Sequence, residues 1–156
     1  KNIVLIARGV GLATLAPLGN LAFEKDINLT VICSARSKEH LMSIDLFNAL
    51  SNKVITVTDN DGSSSMVNLE LLINDLISSQ SVDAFFTCGS NRILKLLKKV
   101  CGLNNIPGQI ALEQQMACGI GMCFCCVRPF EIGDKIIQKR VCKEGPVFKV
   151  SEALPW

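Results

Sequence analysis

The sequence predicts an α/β protein: a parallel, doubly wound sheet over residues 1–112, followed by a small C-terminal module over residues 113–156. Three observations predict it. Short apolar runs alternate with segments whose apolar residues recur every three or four positions, the pattern of strands joined by crossover helices. Two of the strand-to-helix junctions carry glycine. From Met116 onward the helical spacing stops, and cysteine and glycine take its place.

Ile3-Val4-Leu5-Ile6 reads as a strand that stops at Gly9, and the apolar spacing from Leu12 to Phe23 then makes a helix. Leu29 to Cys33 is a second strand. Leu41, Ile44, Leu46, Phe47 and Leu50 recur at helical intervals before a third strand, Val54 to Val57. After the polar loop TDNDGSSS comes a helix over Val67 to Ile77, a fourth strand at Ala84-Phe85-Phe86, and a helix carrying Ile93, Leu94, Leu96, Leu97 and Val100. The expectation is a five-stranded parallel sheet with helices on both faces. In the tail, Cys123 to Arg128 and Lys135 to Cys142 read as two strands of a hairpin around EIGD.

Composition narrows the function classes. A chain of 156 residues and 16.9 kDa suits one domain, or one with a small appendage, and 49% apolar residues exclude a disordered chain. A net charge of +2 gives no electrostatic reason to expect nucleic acid or an anionic membrane. No apolar run approaches the ~20 residues of a spanning helix, and the first strand lacks the flanks of a signal peptide. A soluble, intracellular, cytoplasmic protein is expected, with its thiols reduced or metal-bound; the composition leaves a homo-oligomer open. Lys1 stands just before an apolar run with no initiator Met, so the chain reads as part of a longer polypeptide.

The stretch MACGIGMCFCCVRPF places Cys118, Cys123, Cys125 and Cys126 within nine residues. Cys118, Cys123 and Cys126 satisfy C-x4-C-x2-C, and Cys142 follows after fifteen intervening residues, the plant-type spacing for a 2Fe-2S cluster. Two irons and two sulfides make an elongated core that needs two thiolates at each end. A loop freed by Gly119 and Gly121 can wrap it with its amides toward the sulfurs. Structural zinc in a non-redox binding module takes its ligands as two well-separated pairs, unlike three ligands crowded into one loop. Disulfides are the remaining alternative. Cys125 is the surplus thiol, because only the Cys123 to Cys126 interval fits; in an extended segment it points away from its neighbour. Cys33 and Cys101 read as small buried hydrophobes.

Gly9, Val10, Gly11, Leu12, Ala13 and Thr14 form a turn between strand and helix, where amides at a helix N-terminus can hold a pyrophosphate. Thr14 replaces the third glycine of the full dinucleotide fingerprint, so this turn alone is also consistent with a plain βα connection. Cys88, Gly89 and Ser90, in TCGSN, make a second such turn at the end of the fourth strand, so both turns should face one crevice. Arg36, just beyond the second strand, stands where a 2'-phosphate would be met and equally where an arginine would simply be solvated. NADH and NADPH are not distinguished.

GVGLATLAPL and TCGSN resemble the nicotinamide-binding domain of the ferredoxin-NADP reductase superfamily. ALEQQMACGIGMCFCCV with RVCKEGPVF resembles the electron-transfer subunit family of dihydroorotate dehydrogenase. The resemblance implies a path from NAD(P)H through FAD to a 2Fe-2S cluster. From there electrons pass to a catalytic partner subunit such as dihydroorotate dehydrogenase, or to ferredoxin; a sulfide dehydrogenase relative is a further alternative. It implies a FAD-binding barrel N-terminal to the nicotinamide domain and absent from this chain, which alone would then not complete the reaction. By motif, Gly9 to Thr14 corresponds to the pyrophosphate loop. Cys88 with Gly89 corresponds to the pair beside the nicotinamide and flavin rings, making Cys88 the candidate catalytic residue. Cys118, Cys123, Cys126 and Cys142 correspond to the cluster ligands. Ser90 stands where the superfamily often has proline, and TDNDGSSS only loosely resembles the TDDGS-type loop of the orotate subunit.

Overall fold

The structure, a computed structural model, describes residues 1–156. Strands β1 (Asn2–Arg8), β2 (Asn28–Ala35), β3 (Lys53–Thr58), β4 (Ala84–Cys88) and β5 (Gly108–Ala111) run parallel in the order β3-β2-β1-β4-β5. Helices α1 (Gly11–Glu24), α2 (Ile44–Leu50), α3 (Met66–Ser79) and α4 (Asn91–Asn104) make the crossovers. Beyond them lie a hairpin of β6 (Val127–Ile132) and β7 (Lys135–Arg140), a helical turn α5 (Val141–Glu144), and β8 (Val147–Lys149).

Strand β1 shows why these segments are strands buried on both sides. Ile3, Leu5 and Ala7 pack with Leu12 and Leu15 of α1 and Phe47 of α2, while Val4 and Ile6 pack with Leu69 and Ile73 of α3 and Leu94 and Leu97 of α4. A strand covered on both faces reads as a continuous apolar run, which is what the sequence displays. Serine starts two of the helices: Ser65 Oγ accepts from the Asn68 N–H at 3.2 Å and Ser90 Oγ from the Ile93 N–H at 3.4 Å.

The structure departs from expectation in four places. Strand β7 ends at Arg140 rather than Cys142, because Val141 opens the helical turn α5, which carries Cys142. Strand β6 begins at Val127 rather than Cys123, because Phe124 takes φ 58° and breaks the extended run. The loop carrying Cys123, Cys125 and Cys126 is therefore not a strand. Helix α2 starts only at Ile44, since Ser43 takes φ 58°, and Leu41 falls outside it. The sheet also has a sixth strand: β8 pairs antiparallel to β5, with Phe148 opposite Ile110. Cys126, Phe130, Val141, Phe148, Val150 and Ala153 join the same buried cluster as Leu94 and Leu97, so the C-terminal segment shares the core of the sheet. No helix is long and apolar enough to cross a membrane.

Candidate metal centre and nucleotide crevice

The strand order reverses between β1 and β4, where open parallel sheets leave a crevice at their carboxyl ends. Both glycine turns sit there and touch. A Cβ added to Gly11 would lie 2.7 Å from the Cys88 carbonyl oxygen, and one added to Gly89, whose φ is +86°, would lie 3.4 Å from the Arg8 carbonyl oxygen. Glycine is needed at 11 by this close approach and at 89 by the left-handed backbone. The Leu12 and Ala13 amides, expected to face a pyrophosphate, donate to the Gly9 and Val10 carbonyls at 3.1 and 3.0 Å and so close the turn itself.

Cys88 is 3% exposed. Burial pushes its thiol up, the Thr14 side chain opposes this, and the Glu113 carboxylate adds to it. Burial thus disfavours the thiolate form at this position. Arg36 lines a cavity of about 380 Å³ with Arg8, Gly9, Ala35, His40 and Met42, at the ends of β1 and β2. A second cavity of about 580 Å³, at the ends of β4 and β5, is lined by Gly89, Ala111, Glu113, Gln114, Gln115 and Trp156.

An ion-pair network that the sequence reading missed braces the same rim. Arg8 Nη2 lies 2.5 Å from Asp59 Oδ2, Arg8 Nη1 donates to Ser34 Oγ at 3.1 Å, and Arg92 approaches Asp59 at 3.8 Å. The Ser64 hydroxyl also donates to Asp59. Hydrogen bonds from Arg8 and Ser64 hold the Asp59 carboxyl down to about 2. The signal was available: Asp59 follows β3 directly, at the sheet edge where parallel strands place functional loops.

In the cysteine loop, backbone amides point at sulfur. Cys118 Sγ accepts the N–H of Met122 at 3.3 Å and of Cys123 at 3.4 Å, and Cys123 Sγ accepts that of Cys125 at 3.4 Å. Cys126 Sγ accepts the Cys142 N–H at 3.4 Å and lies 3.3 Å from Cys142 Sγ. Gly119 and Gly121, at φ +67° and +83°, let the loop fold back in this way. Amides of Cys123 and Ile120, with the Cys123 side chain, pull the Cys118 thiol down to about 6. The Cys142 N–H lowers Cys126, and the facing Cys126 sulfur raises Cys142.

The thiols thus meet two by two, Cys118 with Cys123 and Cys126 with Cys142; no three His, Cys, Asp or Glu side chains converge on one point. Two pairs suit a core with an iron at each end, whereas one zinc ion needs four ligands at a single centre. Cys125 is exposed, and its N–H serves Cys123. Its separation from the pairs comes from this loop, not from alternation along a strand. Arg140, also missed, pins the loop: Nη1 donates to the Gly121 carbonyl at 2.9 Å, the guanidinium stands 5.0 Å from the Phe124 ring centroid, and Glu144 pairs with it at 2.6 Å. Its i,i+4 spacing to Glu144 was the readable sign.

Fold and site define a class: a dinucleotide-type α/β sheet joined to an iron-sulfur binding module. Residues 113–153 match the family model described as the iron-sulfur cluster binding domain of dihydroorotate dehydrogenase B. Along nearly all its length the chain is similar to electron transfer subunits of dihydroorotate dehydrogenase B (NAD(+)). It is 32% identical to that of Caldanaerobacter subterraneus subsp. tengcongensis over 99% of this chain and 60% of the relative. It is 30% identical to that of Shouchella clausii over 99% of this chain and 58% of the relative. The chain therefore spans about three fifths of the length of these relatives. Among solved structures, an NADH-dependent reduced ferredoxin-NADP oxidoreductase, described for flavin-based electron bifurcation, superposes with TM-score 0.76 and 26% identity, over 97% of this chain and 53% of that one. The C-terminal domain of a Pyrococcus furiosus hydrogenase superposes with TM-score 0.60 at 14% identity, over 71% of this chain and 90% of that one, a likeness of fold alone.

Proposed function

We propose that this chain is the nucleotide- and cluster-carrying part of an electron-transfer subunit. It would take electrons that originate in NAD(P)H, through FAD bound mainly outside these residues, and deliver them from a 2Fe-2S cluster to a catalytic partner such as a dihydroorotate dehydrogenase chain. The observation that carries this reading is the two-by-two pairing of Cys118 with Cys123 and of Cys126 with Cys142 in a segment that shares the core of a parallel sheet. The ferredoxin-linked oxidoreductase neighbour supports a second reading in which ferredoxin is the electron partner.

In this reading Cys118 and Cys123 hold one iron, and Cys126 and Cys142 the other. A bound cluster supplies a one-electron carrier. Each N–H···S contact stabilises negative charge on a sulfur, so the loop favours the thiolates that ligation needs and the added charge of the reduced state. Arg140 fixes the Gly121 carbonyl and with it the turn that aims these amides. At the crevice, Gly11 and Gly89 let main chain approach a dinucleotide closely, while Cys88 presents a buried thiol next to it. Arg36 and His40 line the cavity on the β2 side, the position of the adenosine half.

Anaerobically purified protein tests the reading. Iron and acid-labile sulfide in equal amounts, with a red-brown visible spectrum that bleaches on reduction, are expected. A colourless protein holding one zinc would refute it. Titration with NADH and with NADPH, followed at the flavin in the longer protein, then separates the two donors.

A further inference from the structure

We propose that the two ends of the cysteine site are unequal, and that an electron received there comes to rest on the iron held by Cys118 and Cys123. The inference rests on the cluster reading above and adds to it which end is reduced. One electron, supplied by the flavin of that reading, turns one ferric iron ferrous, and where the surroundings of the two irons differ it settles at one of them. The thiolates on the ferrous side carry the added negative charge. The favoured end is therefore the one whose surroundings stabilise that charge better.

Two differences between the pairs favour the same end, and main-chain amides are the first. Cys118 Sγ accepts from the Met122 and Cys123 N–H groups and Cys123 Sγ from that of Cys125, so three hydrogen bonds serve this pair. The other pair receives one, from the Cys142 N–H to Cys126 Sγ. Further amides stand near sulfur at both ends, Ile120 by Cys118 and Gly121 by Cys142, without reaching hydrogen-bond geometry. Donors of this kind bind a charged acceptor more strongly than a neutral one, so their excess at one end favours the added charge there.

Burial is the second difference. Cys123 is exposed, whereas Cys126 is 2% exposed and lies in the core with Phe130, Val141 and Phe148; Cys142 packs against that same core. Added charge costs less beside water than in an apolar interior. Arg140 is the cation that could reverse the order, because it stands two residues before Cys142. Its guanidinium, however, donates to the Gly121 carbonyl and pairs with the Glu144 carboxylate at 2.6 Å. Little net positive charge is left for Cys126 and Cys142.

NMR of the cysteine β-protons in the anaerobically purified, dithionite-reduced protein tests this. In a coupled ferric–ferrous pair, cysteines on the ferric iron give large shifts that shrink on warming, and those on the ferrous iron give smaller shifts that grow. Each ligand is replaced in turn by serine, or by selenocysteine where serine does not load iron, and the resonances that vanish assign the spectrum of the unaltered protein. The signals that grow on warming should belong to Cys118 and Cys123. Serine at either of these should also make reduction about tenfold less favourable than serine at Cys126 or Cys142, a potential lower by about 59 mV for one electron. Growing signals from Cys126 and Cys142, four cysteines that respond alike, or equal potentials at the two ends would overturn the inference while the cluster reading stands. An unaltered protein that holds no iron and sulfide would remove the cluster reading, and this inference with it.

Discussion

Replacing Gly11 by alanine probes the contact on which the crevice depends. The new Cβ would sit 2.7 Å from the Cys88 carbonyl oxygen and 3.0 Å from its carbonyl carbon, where ordinary contacts begin at 3.4 Å. Neither partner yields easily. The Cys88 backbone is the end of β4, paired residue by residue to β1, and Gly11 opens α1, whose Leu12 and Leu15 are buried beneath it. Overpacking of this sort costs about 1–3 kcal/mol. Part is offset by the about 0.4–1 kcal/mol that alanine gains over glycine through the unfolded chain. The net loss should be roughly 1–2 kcal/mol, or a fall in Tm of about 2–8 °C for a chain of this size. Gly102→Ala, on α4 with nothing within 4 Å of the new Cβ, is the control and should raise Tm slightly. Thermal unfolding by far-UV circular dichroism reads both. If Gly11→Ala melts at or above the unaltered protein, the two turns do not pack as described and the shared crevice floor is wrong.

Three further outcomes follow from the site. Alanine at Cys118, Cys123, Cys126 or Cys142 should each strip iron and sulfide from anaerobically purified protein, whereas Cys125→Ser should retain them; loss at 125 with retention at 126 would reassign the ligand. Arg140→Met removes the bond to the Gly121 carbonyl and the cation on Phe124, so the visible absorption should decay several-fold faster in air, and an unchanged decay would show that the loop holds itself. Asp59→Asn should cost about 1 kcal/mol or less at neutral pH, since the Asp59 side chain is 38% exposed and its pairs are screened. Because Asp59 is lowered to about 2 in the fold, from about 3.9 when unfolded, its contribution is present above about pH 4 and lost as pH falls toward 2. The Tm difference between the two proteins should narrow over that window, and one that widens would put the stabilisation elsewhere.

The βα alternation was legible because residues buried on both faces leave an unbroken apolar run, as in Val4 to Ile6. The adjacency of the two glycine turns was legible because parallel strands put all their carboxyl ends on one side. Phe124 was not: a left-handed φ at a bulky residue leaves no mark in composition, and it moved the start of β6 by four residues. Strand β8 has three residues, of which only Phe148 is buried, too short for any period to show. Arg8 and Asp59 are 51 positions apart, and Arg128 and Trp156 meet only after the hairpin has turned. Spacing finds cysteines that share a loop; it does not find partners brought together by sheet order.

Strand β8 carries a mechanical consequence. It extends the parallel sheet by a row of main-chain hydrogen bonds to β5, and Phe130 and Phe148, their ring centroids 4.4 Å apart, sit in the core that α4 closes. The cysteine loop is therefore bolted to the sheet like a bracket, and does not hang from it like a pendant. A pendant would sweep through many separations, and any charge crossing from crevice to thiols would do so at a spread of rates. A bracket holds one gap. On the proposed function, whatever motion brings a redox partner into range must then belong to that partner or to its docking, and unfolding of either end of this chain should drag the other with it.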